Sequence, residues 1–258
     1  MLDPSSSFST ASLGASMRTL ATMRILLFCL LQLIAIQPAV SASSVVEIVG
    51  GIPITVPAPP GFSDPSSISK DLRGVGEAMT PPTNRLLALF ISEPDIKRVA
   101  SGKSATLSRY FMAQTMRKLE STNVSARDFV KLREMFKQQQ RGLLESSKSK
   151  SQQNIDAASK ELGRKFQDPS FAVKVGEILP LGVFHEADTS VGMVALTKYR
   201  FVIDGKTEET PMAMAMMIAL VKGRIIYLYA YSAYKSNADA EWVRSVSRQW
   251  ISSVASVN

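Results

Sequence analysis

The sequence predicts an α+β fold, an antiparallel sheet of long C-terminal strands covered by helices, and three observations carry that reading. From Val173 to Tyr234 the chain is strand-like almost throughout, broken only at turn signals. Those strands are apolar on both faces, which calls for a helical cover on each side. The chain then closes in an amphipathic segment, with Trp242, Val243, Val246, Trp250 and Val254 along one helical face. Strands, then helices, then a long meander and a closing helix argue for this class over a parallel βαβ fold.

The elements follow in order. Residues 45–57 are a β-branched run broken by Gly50-Gly51, the signature of a hairpin. Ala58-Pro-Pro-Gly-Phe62 turns the chain. Residues 66–79 read as a weak helix, weakened by Gly74 and Gly76. Pro81-Pro82 ends it. Arg85–Ser92 reads as a buried strand. Glu93–Ser101 is a short helix or turn closed by Gly102, and Leu107–Leu119 is a further strand. Ser125 and Asp128 form a capping-box-like start for a helix. Its stripe is Phe129, Leu132, Phe136 and Leu143. A polar, low-complexity stretch over 146–153 leads to a second stripe, Ile155, Ala158, Leu162 and Phe166, so that 125–166 reads as a helical pair. Strands then run over 173–185, 190–203, 212–221 and 225–234. Asp204-Gly205-Lys206 and Lys222-Gly223-Arg224 are hairpin turns. Ser236 and Asp239 cap the closing helix.

In 190–203, Val191, Met193, Ala195, Tyr199, Phe201 and Ile203 share one face. Val194, Leu196 and Val202 take the other, interleaved with Lys198 and Arg200.

The N-terminus reads as an address. Arg18 and Arg24 precede the 12-residue apolar block Ile25–Ile36, and Val40-Ser41-Ala42 supplies small residues at a cleavage site. The block is shorter than the roughly 20 residues a bilayer span needs. The expectation is a signal peptide over 1–42, with the start at Met1, Met17 or Met23, and a single domain over 43–258. The alternative is an uncleaved inner-membrane anchor. Cleavage would place the chain in the periplasm or outside the cell, with membrane contact at most peripheral.

Composition removes several classes. The chain has 258 residues, 45% of them hydrophobic and 20% charged, which excludes a disordered tail. One Cys, Cys29 in the apolar block, excludes an intrachain disulfide. One His excludes a histidine-cluster metal site. There is no phosphate-cradling glycine loop, dinucleotide fingerprint, His-Glu-x-x-His or nucleophile elbow. No cofactor is expected.

Four features remain as candidates. His185, in Phe184-His185-Glu186-Ala187-Asp188, is either a general base oriented by Glu186 or Asp188 or an ordinary turn histidine. Met212, Met214 and Met216 fall on one face of their strand, with Met217 on the other. They are either soft ligands for Cu(I) or flexible core filler. Tyr227, Tyr229 and Tyr231 share a face, as a platform for a glycan or peptide or as rings packed beneath a helix. Finally, residues 125–166 hold 10 Lys and Arg against 5 Asp and Glu. Arg127, Lys131, Arg133, Lys137 and Arg141 then read either as an arm for an anionic partner or as a solvated face. The partners so implied are an envelope protein, anionic lipid or an acidic glycan. Nucleic acid is not among them, since no RNA-binding aromatic motif or zinc finger is present. Asn123-Val-Ser125 is also a glycosylation sequon.

The hairpin leading into Pro57-Ala-Pro-Pro-Gly-Phe62, the antiparallel meander, and the closing helix after Ala238-Asp-Ala-Glu-Trp242 resemble PsbP/DcrB-like domains. The resemblance spans roughly 45–256 by element order, with the pair at 125–166 longer than in that family. It implies an exported α/β/α sandwich that binds or assembles without catalysis, and it carries over no functional residue. The expected function is therefore a non-catalytic binding or assembly module of the bacterial envelope. The alternatives are an envelope hydrolase using His185 and carboxylates, and a Cu(I)-handling protein using the Met212–Met217 strand.

Overall fold

The computed structural model describes residues 43–103, 107–138, 172–203 and 206–258, together with 156, 159, 160 and 164. A hairpin opens it, β1 (Ser44–Val49) and β2 (Ile52–Pro57), turning on Gly50 and Gly51. Both glycines have positive φ, 54° and 82°, as the tight turn between such strands requires. Next come the short β3 (Phe62–Ser63), α1 (Lys70–Met79), β4 (Asn84–Ser92), α2 (Glu93–Ala100) and β5 (Arg109–Met116). Helix α3 (Ala126–Gln138) follows. After it run β6 (Ala172–Ala187), β7 (Ser190–Ile203), β8 (Lys206–Val221) and β9 (Arg224–Ala233), and α4 (Asn237–Ser256) closes the chain.

Seven strands form one antiparallel sheet in the order β3-β4-β5-β9-β8-β7-β6. The α+β class is as expected, but several boundaries differ from the sequence reading, among them the helix read over 66–79, which starts at Lys70 after a 3-10 turn at Pro65–Ser67. Strand β8 begins at Lys206, because Lys206–Pro211 continue the ladder against Lys198–Ile203. Polar residues there hid a strand that pairs on one side only. Strand β5 ends at Met116, and 117–119 form a 3-10 turn. Arg224 is the first residue of β9, with the turn on Lys222 and Gly223, both at positive φ. The leader over 1–42, Arg141, Leu143, Asp204-Gly205 and the stripe Ile155, Ala158, Leu162, Phe166 lie outside the described residues.

The sheet is the middle of three layers. On one side α4 lays down Val243, Val246, Trp250, Ile251 and Val254, and the β1–β2 hairpin adds Val49, Ile54 and Val56. Burying each such side chain contributes about 1.5–3 kcal/mol. Trp250 sits edge-on to Phe111 at 5.1 Å and donates its indole N–H to the Pro57 carbonyl at 2.7 Å. The capping box predicted for α4 is present: Ser236 and Asp239 bond reciprocally to each other's backbone. On the other side, Phe129 and Phe136 of α3 pack on Val191, Met193, Ile218 and Ile225. Leu72 of α1 and Ile96 of α2 pack on Leu86, Leu89, Ile91 and Met112. Among the described residues no helix is long and apolar enough to cross a membrane.

Candidate functional site

Two arginines hold the frame on which any site rests, and sequence reading passed over both. Arg224, only 8% exposed, donates to the carbonyls of Val49, Gly50 and Thr122 at 3.3, 3.2 and 3.0 Å. Arg85 grips Glu120 with two nitrogens, at 2.9 and 3.1 Å, and reaches Glu47 at 3.0 Å. Its guanidinium pKa is raised, first by the hydrogen bond to Glu120. Both fasten the β1–β2 hairpin to the sheet. At the hairpin tip a Cβ on Gly50 would fall 1.9 Å from the Glu120 carbonyl oxygen, so that residue must be glycine. Nothing in composition or period marks such anchors, since their acceptors, carbonyls for Arg224 and chiefly carboxylates for Arg85, are distant in sequence.

The basic residues of α3 do not form one free cationic face. Ser125 caps the helix, accepting from the Asp128 N–H at 3.1 Å. Lys131 pairs with Asp128 at 3.2 Å. Arg133 donates to the Ala187 carbonyl at 2.9 Å and lies 3.5 Å from Glu186. Lys137 meets Glu186 at 2.9 Å and Glu134 at 3.4 Å. Its hydrogen bond raises the Lys137 pKa and lowers that of Glu186. These pairs tie α3 to the β6–β7 turn. Arg127 is exposed.

The same contacts set where the neighbours of His185 point. The sequence reading set Glu186 or Asp188 beside it, but Glu186 points to α3, and Asp188 stands fully exposed 3.9 Å from Arg133. The irregularity between Val183 and His185 turns the imidazole to the α4 side, where Nε2 lies 2.7 Å from Ser190 Oγ. Ser190 is 7% exposed. Arg248 of α4 donates twice to the Phe184 carbonyl, at 3.1 and 3.0 Å. Burial lowers the His185 pKa, and the Arg248 charge lowers it further. The result is a neutral imidazole on a serine, with its sequence-adjacent carboxylates occupied or turned away. Among the described residues no third group hydrogen-bonds to the imidazole as a triad requires.

Tyr227, Tyr229 and Tyr231 share the face opposite α4, as the alternation predicts. Tyr227 packs with the α3 cluster, Tyr229 and Tyr231 with the α1–α2 cluster. Tyr231 stacks on Tyr110 at 4.5 Å and on Tyr229 at 6.3 Å. Burial raises the pKa of each, and pushes that of Tyr199 on the same face up to about 12. All three rings pack against neighbours and keep part of their surface exposed.

The methionines lie where the period-2 pattern puts them. Met212, Met214 and Met216 face away from α4, and Met217 faces it with no exposure. The ladder adds what sequence could not show: Met193 stands directly opposite Met216, and Ala195 opposite Met214. Among the described residues no group of His, Cys, Asp and Glu could hold a metal ion.

One surface feature escaped the sequence reading altogether. On β6, an end strand of the sheet among the described residues, Leu179, Leu181 and Val183 are 54%, 37% and 36% exposed. The strand carries three register shifts, Pro180, and Gly182 at φ 97°. These features guard its open edge against pairing with another strand.

No family model matches the chain, and no curated protein does. Among solved structures it is similar to a point mutant of the protein Mog1. The TM-score is 0.35 and the identity 11%, over 82% of this chain and 93% of that one.

Proposed function

We propose that this chain is an exported, non-catalytic binding or assembly module of the bacterial envelope, which recognises a protein partner through apolar side chains on β6. The observation that carries the reading is a contrast on one hairpin. Of the groups that could do chemistry there, Glu186 is held by Lys137, and His185 meets a serine, Ser190, that is only 7% exposed. Beside them Leu179, Leu181 and Val183 stand out into solvent. Leu179 pairs with Leu196 on the α4 side and Val183 with Met193 on the other, so this outer strand shows apolar groups on both faces, and exposed apolar surface is a mark of interaction sites. The bulges and Pro180 direct a partner to the side chains and not to the backbone edge. The leader-like N-terminus and the resemblance to PsbP/DcrB-like domains support export.

Affinity capture from native envelopes, with intact-mass analysis of the bait, tests both halves. The expected mass corresponds to loss of residues 1–42. The expected partner is retained by the native chain and lost by Leu181→Lys. A full-length mass in the cytosolic fraction defeats export. A partner held equally by Leu181→Lys defeats the β6 surface.

A further inference from the structure

We propose that Met193, Met214 and Met216, bordered by Met212, form a binding site for a soft monovalent cation, Cu(I), on the sheet face opposite α4. The register is the first ground. Met193 of β7 is the direct cross-strand partner of Met216 of β8, so their Cβ atoms lie about 5 Å apart. Met214 and Met212 follow Met216 on the same face, two residues apart. Directly opposite Met214 the side chain is only Ala195. Ala195 is itself 1% exposed, covered by its larger neighbours, and each Met has three rotatable bonds with which its sulfur can turn toward a shared point.

Exposure is the second ground. Met193 and Met212 are 2% and 6% exposed and form a dry wall, while Met214 and Met216 are only partly buried. An ion can therefore reach the two outer sulfurs and settle against the inner ones. Met214 belongs to neither of the two apolar clusters on this face; it lies between the Phe129 and Met193 group and the Tyr110 and Met212 group. The third ground is polar. Thr197, the cross-strand partner of Met212, is 4% exposed, and its Oγ1 has no hydrogen-bond partner. A buried hydroxyl is normally satisfied, so this oxygen leaves room for a further polar group at the rim of the thioethers, while the thioethers themselves supply the soft ligands. Neutral thioethers favour Cu(I) over hard or borderline divalent ions.

The inference stands apart from the export reading, because it is measured on purified protein. The probe is Cu(I) held reduced by ascorbate, titrated into the full chain carrying Cys29→Ser, which removes the thiol as a competing ligand. A chromogenic Cu(I) chelator reports the competition. The expected result is uptake saturating at a single equivalent, with the methyl resonances of Met193, Met214 and Met216 shifting together. Met214→Leu with Met216→Leu is expected to weaken uptake about tenfold or more, since even outer-shell changes at metal sites cost roughly 10–100-fold. Met112→Leu, across Tyr229 on β5, and His185→Gln should leave it unchanged. No uptake at micromolar Cu(I) overturns the site. So does uptake that the folded double variant retains, or shifts confined to methionines elsewhere. Should the double variant lose its circular dichroism signal, Met214→Leu alone replaces it under the same criteria.

Discussion

Strand β8 presents Ala213, Ala215 and Ala219 to α4, and Met212, Met214 and Met216 to the opposite face. The alanines extend across the sheet, with Ala113 on β5 and Ala230 on β9, and each is buried. Small residues let the helix lie close, so that its own large side chains, Trp250 above all, fill the gap against Phe90 and Phe111. On the other face several shorter elements meet the sheet at different places, and the sheet supplies the bulk through Met and Tyr. One face is a single tight fit. The other is an assembly of patches in which flexible thioethers take up the irregularity.

That contrast predicts unequal costs. The largest is expected for Trp250→Ala, about 3–5 kcal/mol by urea denaturation, since it empties the tight face and leaves the Pro57 carbonyl without its donor. A loss near the roughly 0.5 kcal/mol of a surface substitution would break the comparison. Ala215→Leu should cost about 1–3 kcal/mol by overpacking beneath α4, whereas Met214→Leu, two atoms of chain away on the other face, should cost under about 1.5 kcal/mol. The reverse order would show that the methionine face is the more exacting one. Arg224→Met should cost about 1–3 kcal/mol, because carbonyls of the hairpin and of Thr122 lose a buried donor. Proteolysis at the β1–β2 hairpin should rise with it, and an unchanged cleavage rate would contradict the anchoring role.

The smallest effect concerns pH. The folded pKa of His185 lies below its ordinary value of 6.5, so on acidification the unfolded chain takes up the proton first. Its contribution to stability is therefore full above about pH 6.5 and declines as pH falls from there through the lower folded pKa. His185→Gln should flatten that part of the pH–stability curve. Parallel curves for the two chains would show that neither burial nor the Arg248 charge disfavours the protonated imidazole in the folded state. The carboxylates with lowered pKa, Asp128, Glu186, Glu209 and Asp239, act at more acidic pH and are common to both chains.

Much of the frame was legible because it depends on local pattern. Gly50-Gly51, Ser125 with Asp128, Lys222-Gly223 and Ser236 with Asp239 each specify a turn or cap within a few residues, and each is present. Candidate sites were less legible. His185 and Glu186 are neighbours in sequence, yet a strand irregularity beside His185 leaves it on the α4 side while Glu186 faces α3. The basic residues of α3 read equally as an arm for a partner and as a solvated face, and only the fold shows the end of β6 bringing acceptors to two of them, the Ala187 carbonyl to Arg133 and the Glu186 carboxylate to Lys137.

The sequence by itself determined the class, the alternation of β8 and the amphipathic closing helix, since periods of 2 and 3.6 follow from backbone geometry alone. Only the tertiary structure decided that Met193 stands across from Met216, that Arg224 holds three carbonyls and that β6 is an end strand of the sheet among the described residues. Register and strand order join residues far apart in the chain. They are set by which faces can be buried together, and no local spacing records that.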